Sequence, residues 1–147
     1  MKIGPRALAM LKQFEGCRLH AYLDTGGVPT IGYGATGPDI HSGMVWTQEQ
    51  ADARLAADAE RFAEYTGAML RDAVTTPAQF GGLNDACYNA GPGNLAKSPM
   101  LALHRMGKYT AAAAAFKGWR VHDHAGNELP GLVRRRAAES ALYAGAT

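Results

Sequence analysis

The chain changes its hydrophobic period at Gly16, and that switch confines it to a mixture of helix and hairpin. Before the switch, Pro5 suits a first helical turn and Leu8, Leu11 and Phe14 recur every three residues, an apolar stripe that predicts a helix ending near Glu15. After it, the turn-forming run Asp24-Thr25-Gly26-Gly27 separates Tyr22-Leu23 from the extended Val28-Pro29-Thr30-Ile31-Gly32-Tyr33-Gly34, which together read as a short hairpin. Helical spacing returns at Thr47, whose partner Gln50 completes a capping box ahead of the stripe Ala51, Leu55, Ala59 and Phe62. Thr76, Pro77 and Gln79 repeat the cap and open a helix with Phe80, Leu83, Cys87 and Ala90 on one face, ended by Asn89-Ala90-Gly91-Pro92-Gly93-Asn94. Ser98-Pro99 starts a short helix stopping at Gly107, Thr110 opens an alanine-rich one reaching Phe116 or Trp119, and Leu132 to Tyr143 forms the last. A chain of 147 residues, 47% hydrophobic, can bury a real core and is too short for two domains of typical size. The expectation is one α+β domain over 1–147, with a small hairpin lobe at about 17–46 packed on a larger, mainly helical lobe.

A rigid helix end and a hairpin folding back opposite it leave a groove, a shape suited to a polymer. Glu15 ends the helix, while Asp24 and Thr30 belong to the facing element. Glycoside hydrolysis needs one carboxylic acid to protonate the leaving oxygen and a second carboxylate to handle water or the developing positive charge. Those roles want unlike surroundings: Glu15 is flanked by apolar Phe14 and Leu19, Asp24 by Thr25 and two glycines that keep it hydrated. Each residue also has a plainer reading. Asp24 is an ordinary turn former and Thr30 an ordinary strand residue. A glutamate at a helix C-terminus opposes the macrodipole, so Glu15 does not serve helix stability, although an ion pair with Arg18 or a distant arginine would explain it.

The remaining polar features read as structural. Arg134-Arg135-Arg136 suggests a solvated helix face with modest helical pairing to Glu139. A net charge of +2 and the lack of a recognised motif argue against nucleic-acid binding. Cys17 and Cys87 read as free, mostly buried thiols rather than a disulfide or a cysteine nucleophile. His122 and His124 flank Asp123 in what reads as a solvated loop before Gly126-Asn127 rather than a metal site, and the reaction envisaged needs no cofactor. The opening Met-Lys-Ile-Gly-Pro-Arg contains no apolar run long enough for a signal peptide or membrane anchor, so export by that route is not expected.

The run Phe14-Glu15-Gly16-Cys17-Arg18-Leu19-His20-Ala21-Tyr22-Leu23-Asp24, followed by Pro29-Thr30-Ile31-Gly32-Tyr33-Gly34, resembles the phage-type lysozymes, the endolysins of glycoside hydrolase family 24. Their spacing of Glu, eight residues, Asp or Cys, five residues, Thr fits Glu15, Asp24 and Thr30 without a gap. The likeness continues in Phe80-Gly81-Gly82-Leu83-Asn84-Asp85-Ala86-Cys87-Tyr88-Asn89-Ala90-Gly91 and in Gly131-Leu132-Val133-Arg134-Arg135-Arg136-Ala137-Ala138-Glu139. The resemblance implies a lysozyme-like fold and hydrolysis of the β-1,4 bond between N-acetylmuramic acid and N-acetylglucosamine in peptidoglycan. Glu15 would donate the proton, with Asp24 and Thr30 positioning the water on an inverting course. It also implies that Thr36, Tyr88 and Ser98 line the sugar groove. A monomer made in the host cytoplasm and released through the inner membrane by a holin completes the expectation. The rivals are a lytic transglycosylase acting on the same bond and an inactive peptidoglycan-binding module.

Overall fold

The computed structural model describes residues 1–145. Helix α1 runs Pro5–Glu15, with Pro5 in its first turn and Gly16 at φ 65° closing it through an N–H donated to the Lys12 carbonyl. The positive φ is what a glycine accepts and a side chain resists, and it turns the chain sharply out of the helix just after Glu15. Strands β1 (Arg18–Leu23) and β2 (Pro29–Gly32) pair antiparallel, Tyr22 opposite Thr30 and Leu23 opposite Pro29. The register is irregular between Arg18 and Tyr22. The next loop returns beside β1, where Ala21 N–H donates to the Met44 carbonyl and Trp46 N–H to that of Leu19.

Helix α2 (Gln48–Leu70) is the longest element, opened by the Thr47/Gln50 capping box that the sequence indicates. Its buried residues Ala51, Leu55, Ala59, Ala63, Thr66 and Leu70 follow helical spacing. The first three pack with Leu11 and Tyr33 beside the hairpin, whereas Ala63 and Leu70 pack with Phe80, Leu83, Leu95, Leu101 and Phe116 in the helical lobe. One helix therefore belongs to both cores and sets the position of one relative to the other.

Helix α3 (Pro77–Ala90) begins at the Thr76/Gln79 capping box but departs from the one-faced pattern. It is buried on all sides from Gln79 to Cys87. Gly81 and Gly82 explain this, because a Cβ at Gly81 would lie 3.0 Å from the Ala7 Cβ of α1, and one at Gly82 only 2.8 Å from the Glu139 carbonyl. Two bare backbone positions thus let neighbours close on α3 from both sides. Where the sequence suggests that the chain simply ends this helix, it re-forms a single turn, α4 (Pro92–Ala96), behind Gly91. Helix α5 (Pro99–Arg105) follows its Ser98 cap, and α6 (Tyr109–Ala115) starts one residue before Thr110 with no side-chain cap. Helix α7 (Pro130–Tyr143) starts at Pro130, two residues before Leu132, since proline suits a first turn whose N–H has no partner. The intervening 122–129 segment is a turn closed by Asp123, whose Oδ1 accepts N–H groups from Ala125 and Asn127. Cys17 is exposed, not buried as expected, Cys87 is buried, and both are free. Among the described residues no helix is long and apolar enough to cross a membrane.

Candidate active site

Glu15 stands where α1 stops and the hairpin lobe begins. Its side chain is 21% exposed, at the wall of a cleft of about 600 Å³ that Gln13, Phe14, Asn89, Leu132 and Arg135 also line. Arg135 Nη1 donates to Oε1 at 2.7 Å, and the same guanidinium lies over the Phe14 ring, 5.4 Å from its centroid. The surroundings are therefore apolar on one side, as the neighbours in sequence suggest, and cationic on the other. Oε2 accepts no hydrogen bond among the described residues and faces Gly34, where an added Cβ would sit 3.7 Å away. That contact brings the turn after β2 against the carboxyl.

Asp24 and Thr30 meet around Val28. Asp24 Oδ1 accepts N–H groups from Gly26 at 2.9 Å and Val28 at 2.8 Å, while Thr30 Oγ1 donates to the Val28 carbonyl at 2.9 Å. Asp24 is exposed, its Oδ2 left to solvent, and two backbone donors hold it in one rotamer. Thr30 is only 4% exposed and keeps its acceptor lone pairs.

Thr36 is exposed on the loop beyond β2, its carbonyl held by Arg54 Nη2 at 2.8 Å while Arg54 also pairs with Asp39 and Asp58. Tyr88 is half-buried on α3, its ring 5.0 Å from that of Phe62. Burial first, then the negative charges of Glu15 and Asp58, push its phenol up to about 12, so it stays a donor beside Glu15. Ser98 is the N-cap of α5. It is 2% exposed, donates to the Leu95 carbonyl at 2.7 Å and accepts from Leu101 N–H, so its hydroxyl is spent on the α5 cap.

The arginine run corrects the reading of a solvated face. Arg134 is exposed, but Arg135 and Arg136 are buried, because α7 packs that side against α3. Arg135 Nε donates to Asp85 Oδ1 at 2.7 Å, tying α3 and α7 to Glu15 through one side chain. Arg136 donates to Glu139 Oε1, to Asn89 Oδ1 and to the Trp119 carbonyl. The Glu139 pairing at helical spacing is readable from sequence, but not its burial. Asp85 escapes sequence reasoning as a functional residue, and its signal is a carboxylate set among Leu83, Ala86 and Cys87, which calls for a buried cation. Beyond Asn89 and Leu132, which line both, a second cleft of about 470 Å³ opens, walled by Arg120, His122 and His124.

The family model described as phage lysozyme matches residues 12–139, a span that takes in Glu15, Asp24, Thr30, Asp85, Arg135 and Glu139. An endolysin of Acyrthosiphon pisum secondary endosymbiont phage 1 is 36% identical, with 97% of this chain and 98% of that protein covered. An endolysin of Bacillus phage B103 is 34% identical over 97% of this chain, which spans 54% of that longer protein. The solved endolysin from Escherichia coli O157:H7 phage FAHEc1 has the same fold, with a TM-score of 0.87, 33% identity, and 97% of this chain and 93% of that one covered. With the helix-end glutamate, the hairpin that returns to it and a matching span of this length, the chain belongs to the phage lysozyme family.

Proposed function

We propose that the chain is an endolysin, a glycoside hydrolase that cuts the β-1,4 bond between N-acetylmuramic acid and N-acetylglucosamine in bacterial peptidoglycan and so lyses the host cell. The observation that carries this reading is Glu15 at a cleft wall, with one carboxyl oxygen held by Arg135 and the other, beside Gly34, without a hydrogen bond among the described residues. In the acid form, Glu15 gives its proton to the glycosidic oxygen as the bond from that oxygen to the sugar C1 breaks. Asp24, exposed at the solvent edge, faces the positive charge that develops at C1 and takes a proton from the attacking water. The Thr30 hydroxyl oxygen accepts a hydrogen bond from that water and orients it. Arg135 contributes most after proton transfer, when Glu15 becomes a carboxylate 2.7 Å from a guanidinium held in place by Asp85. Thr36 and Tyr88 line the glycan path in this reading. Ser98 lends support only as the cap of α5. No step needs a metal or an organic cofactor.

Inversion at C1 goes with carboxyl groups about 6.5–9.5 Å apart, which leaves room for the water. The product anomer at short reaction times tests it. Mass spectrometry of muropeptides released from purified cell wall tests the rest: hydrolysis adds one water per cleavage, transglycosylation leaves an anhydro sugar, and an inert binding module releases nothing. The protein acts as a monomer on periplasmic peptidoglycan after synthesis in the host cytoplasm, with a holin opening the inner membrane. Lysis that proceeds on schedule without any holin overturns that part.

A further inference from the structure

Two guanidinium groups in this region face three carboxyls. Arg135 and Arg136 of α7 meet Glu15 of α1, Asp85 of α3 and Glu139 of α7 itself. Neutral partners complete the surroundings: Asn89 Oδ1 and the Trp119 carbonyl on Arg136, and Tyr88 near Glu15. The Asp85 and Glu139 side chains are 1% and 0% exposed, so solvent does not spread their charge. Each spends one oxygen on a guanidinium, Asp85 Oδ1 on Arg135 and Glu139 Oε1 on Arg136. Among the described residues the other two, Asp85 Oδ2 and Glu139 Oε2, are buried without a hydrogen-bond partner, as is Arg135 Nη2. Both carboxyls converge on one nitrogen, with Arg135 Nε 2.7 Å from Asp85 Oδ1 and 3.7 Å from Glu139 Oε1. Two bare carboxylates so placed repel, whereas one proton between them satisfies both orphaned oxygens together.

We infer that Asp85 and Glu139 share a single proton behind Arg135, and that this pair positions the Arg135 guanidinium against Glu15. The proton leaves two anions for two cations. Burial first, and the neighbouring Asp85 next, push the Glu139 carboxyl well above its ordinary 4.5. Asp85 then remains the anion on Arg135 Nε, so the guanidinium is divided between Asp85 and Glu15 instead of committed to Glu15 alone. A divided partner lets Glu15 alternate between acid and carboxylate during turnover. The positioning role rests on the proposed part of Glu15 as proton donor; the shared proton does not.

Glu139→Gln puts an amide in place of the protonated acid, with its NH₂ donating to Asp85 Oδ2 and its oxygen accepting from Arg136. Denaturant unfolding of the full chain at a series of pH values above 4.5 reads the proton directly. Unfolding wild type should release about one proton more than unfolding the variant, so wild-type stability falls more steeply as pH rises. Equal slopes overturn the shared proton. If that variant fails to fold, Asp85→Asn replaces the bridging proton with an amide N–H, and the same difference in slope is expected, its absence again overturning the shared proton. Positioning is read on peptidoglycan with Glu139→Leu, which can neither donate to Asp85 nor accept from Arg136. Its kcat should fall about five- to thirtyfold below that of Glu139→Gln with KM little different between the two. Equal kcat values overturn the positioning role. Full activity in Glu15→Gln would sink the reading of Glu15 while leaving the proton count to stand.

Discussion

Glu15, Asp24 and Thr30 have different kinds of support. Glu15 is held by a buried cation 120 residues away in sequence, whereas Asp24 and Thr30 are held by the backbone of Val28 between them. Glu15→Gln removes the transferable proton and the charge facing Arg135 while keeping the shape of the side chain, and should lower the rate of wall hydrolysis by about 10²–10⁴-fold, followed as loss of turbidity, with folding retained. Asp24→Asn keeps the turn and should cost less than Glu15→Gln, because Thr30 still orients the water. Arg135→Leu differs in kind. It strands Asp85, 1% exposed, without its guanidinium, and should destabilise the fold by about 3–5 kcal/mol in denaturant titration as well as abolish turnover. The spacing of the three catalytic candidates is legible in the sequence because it is set along one short stretch of chain, from the end of α1 to β2. Asp85 is not, since a carboxylate inside an apolar helix reveals its partner only when α7 is laid against α3.

At the scale of elements, helix starts are more legible in the sequence than burial. The Thr47/Gln50 and Thr76/Gln79 boxes form as the sequence indicates, since both partners lie within one helical turn. Thr76→Ala should cost about 0.5–2 kcal/mol in chemical unfolding, and Thr76→Ser should restore most of it. Helix α6 starts at Tyr109 instead of using Thr110 as its cap. Helix α3 has a one-faced sequence pattern because Gly81 and Gly82 carry no apolar side chain to mark their sides as buried. Their burial comes from what they lack. Gly82→Ala would set a Cβ 2.8 Å from the Glu139 carbonyl and 2.9 Å from the Tyr143 Cβ, both beyond the reach of a simple rotamer change. It should destabilise by about 1–3 kcal/mol and reduce activity, since the same α3–α7 contact holds Asp85 to Arg135.

For the whole molecule, two buried groups bias stability in opposite directions with pH. His104 lies in the helical core between the Thr75 hydroxyl and Tyr143, and burial lowers its pKa from 6.5. The unfolded chain then binds the proton more readily, so this contribution is intact above 6.5 and is lost as pH falls toward the depressed folded value. Stability should decline on acidification below 6.5, and His104→Gln should flatten that decline in unfolding curves taken across the range. Glu139, raised instead, works the other way and weakens the fold as pH climbs above 4.5. By itself the sequence determined the helix–hairpin alternation, the caps, the turn at Asp24 and the spacing of Glu15, Asp24 and Thr30, because each depends on backbone and side chains a few residues apart. Only the tertiary structure decided that α2 would belong to both cores, that Arg135 and Arg136 would be buried, and that one guanidinium would join Glu15 to Asp85. Whether a charge is solvated depends on which distant segments pack around it, and no local pattern carries that information.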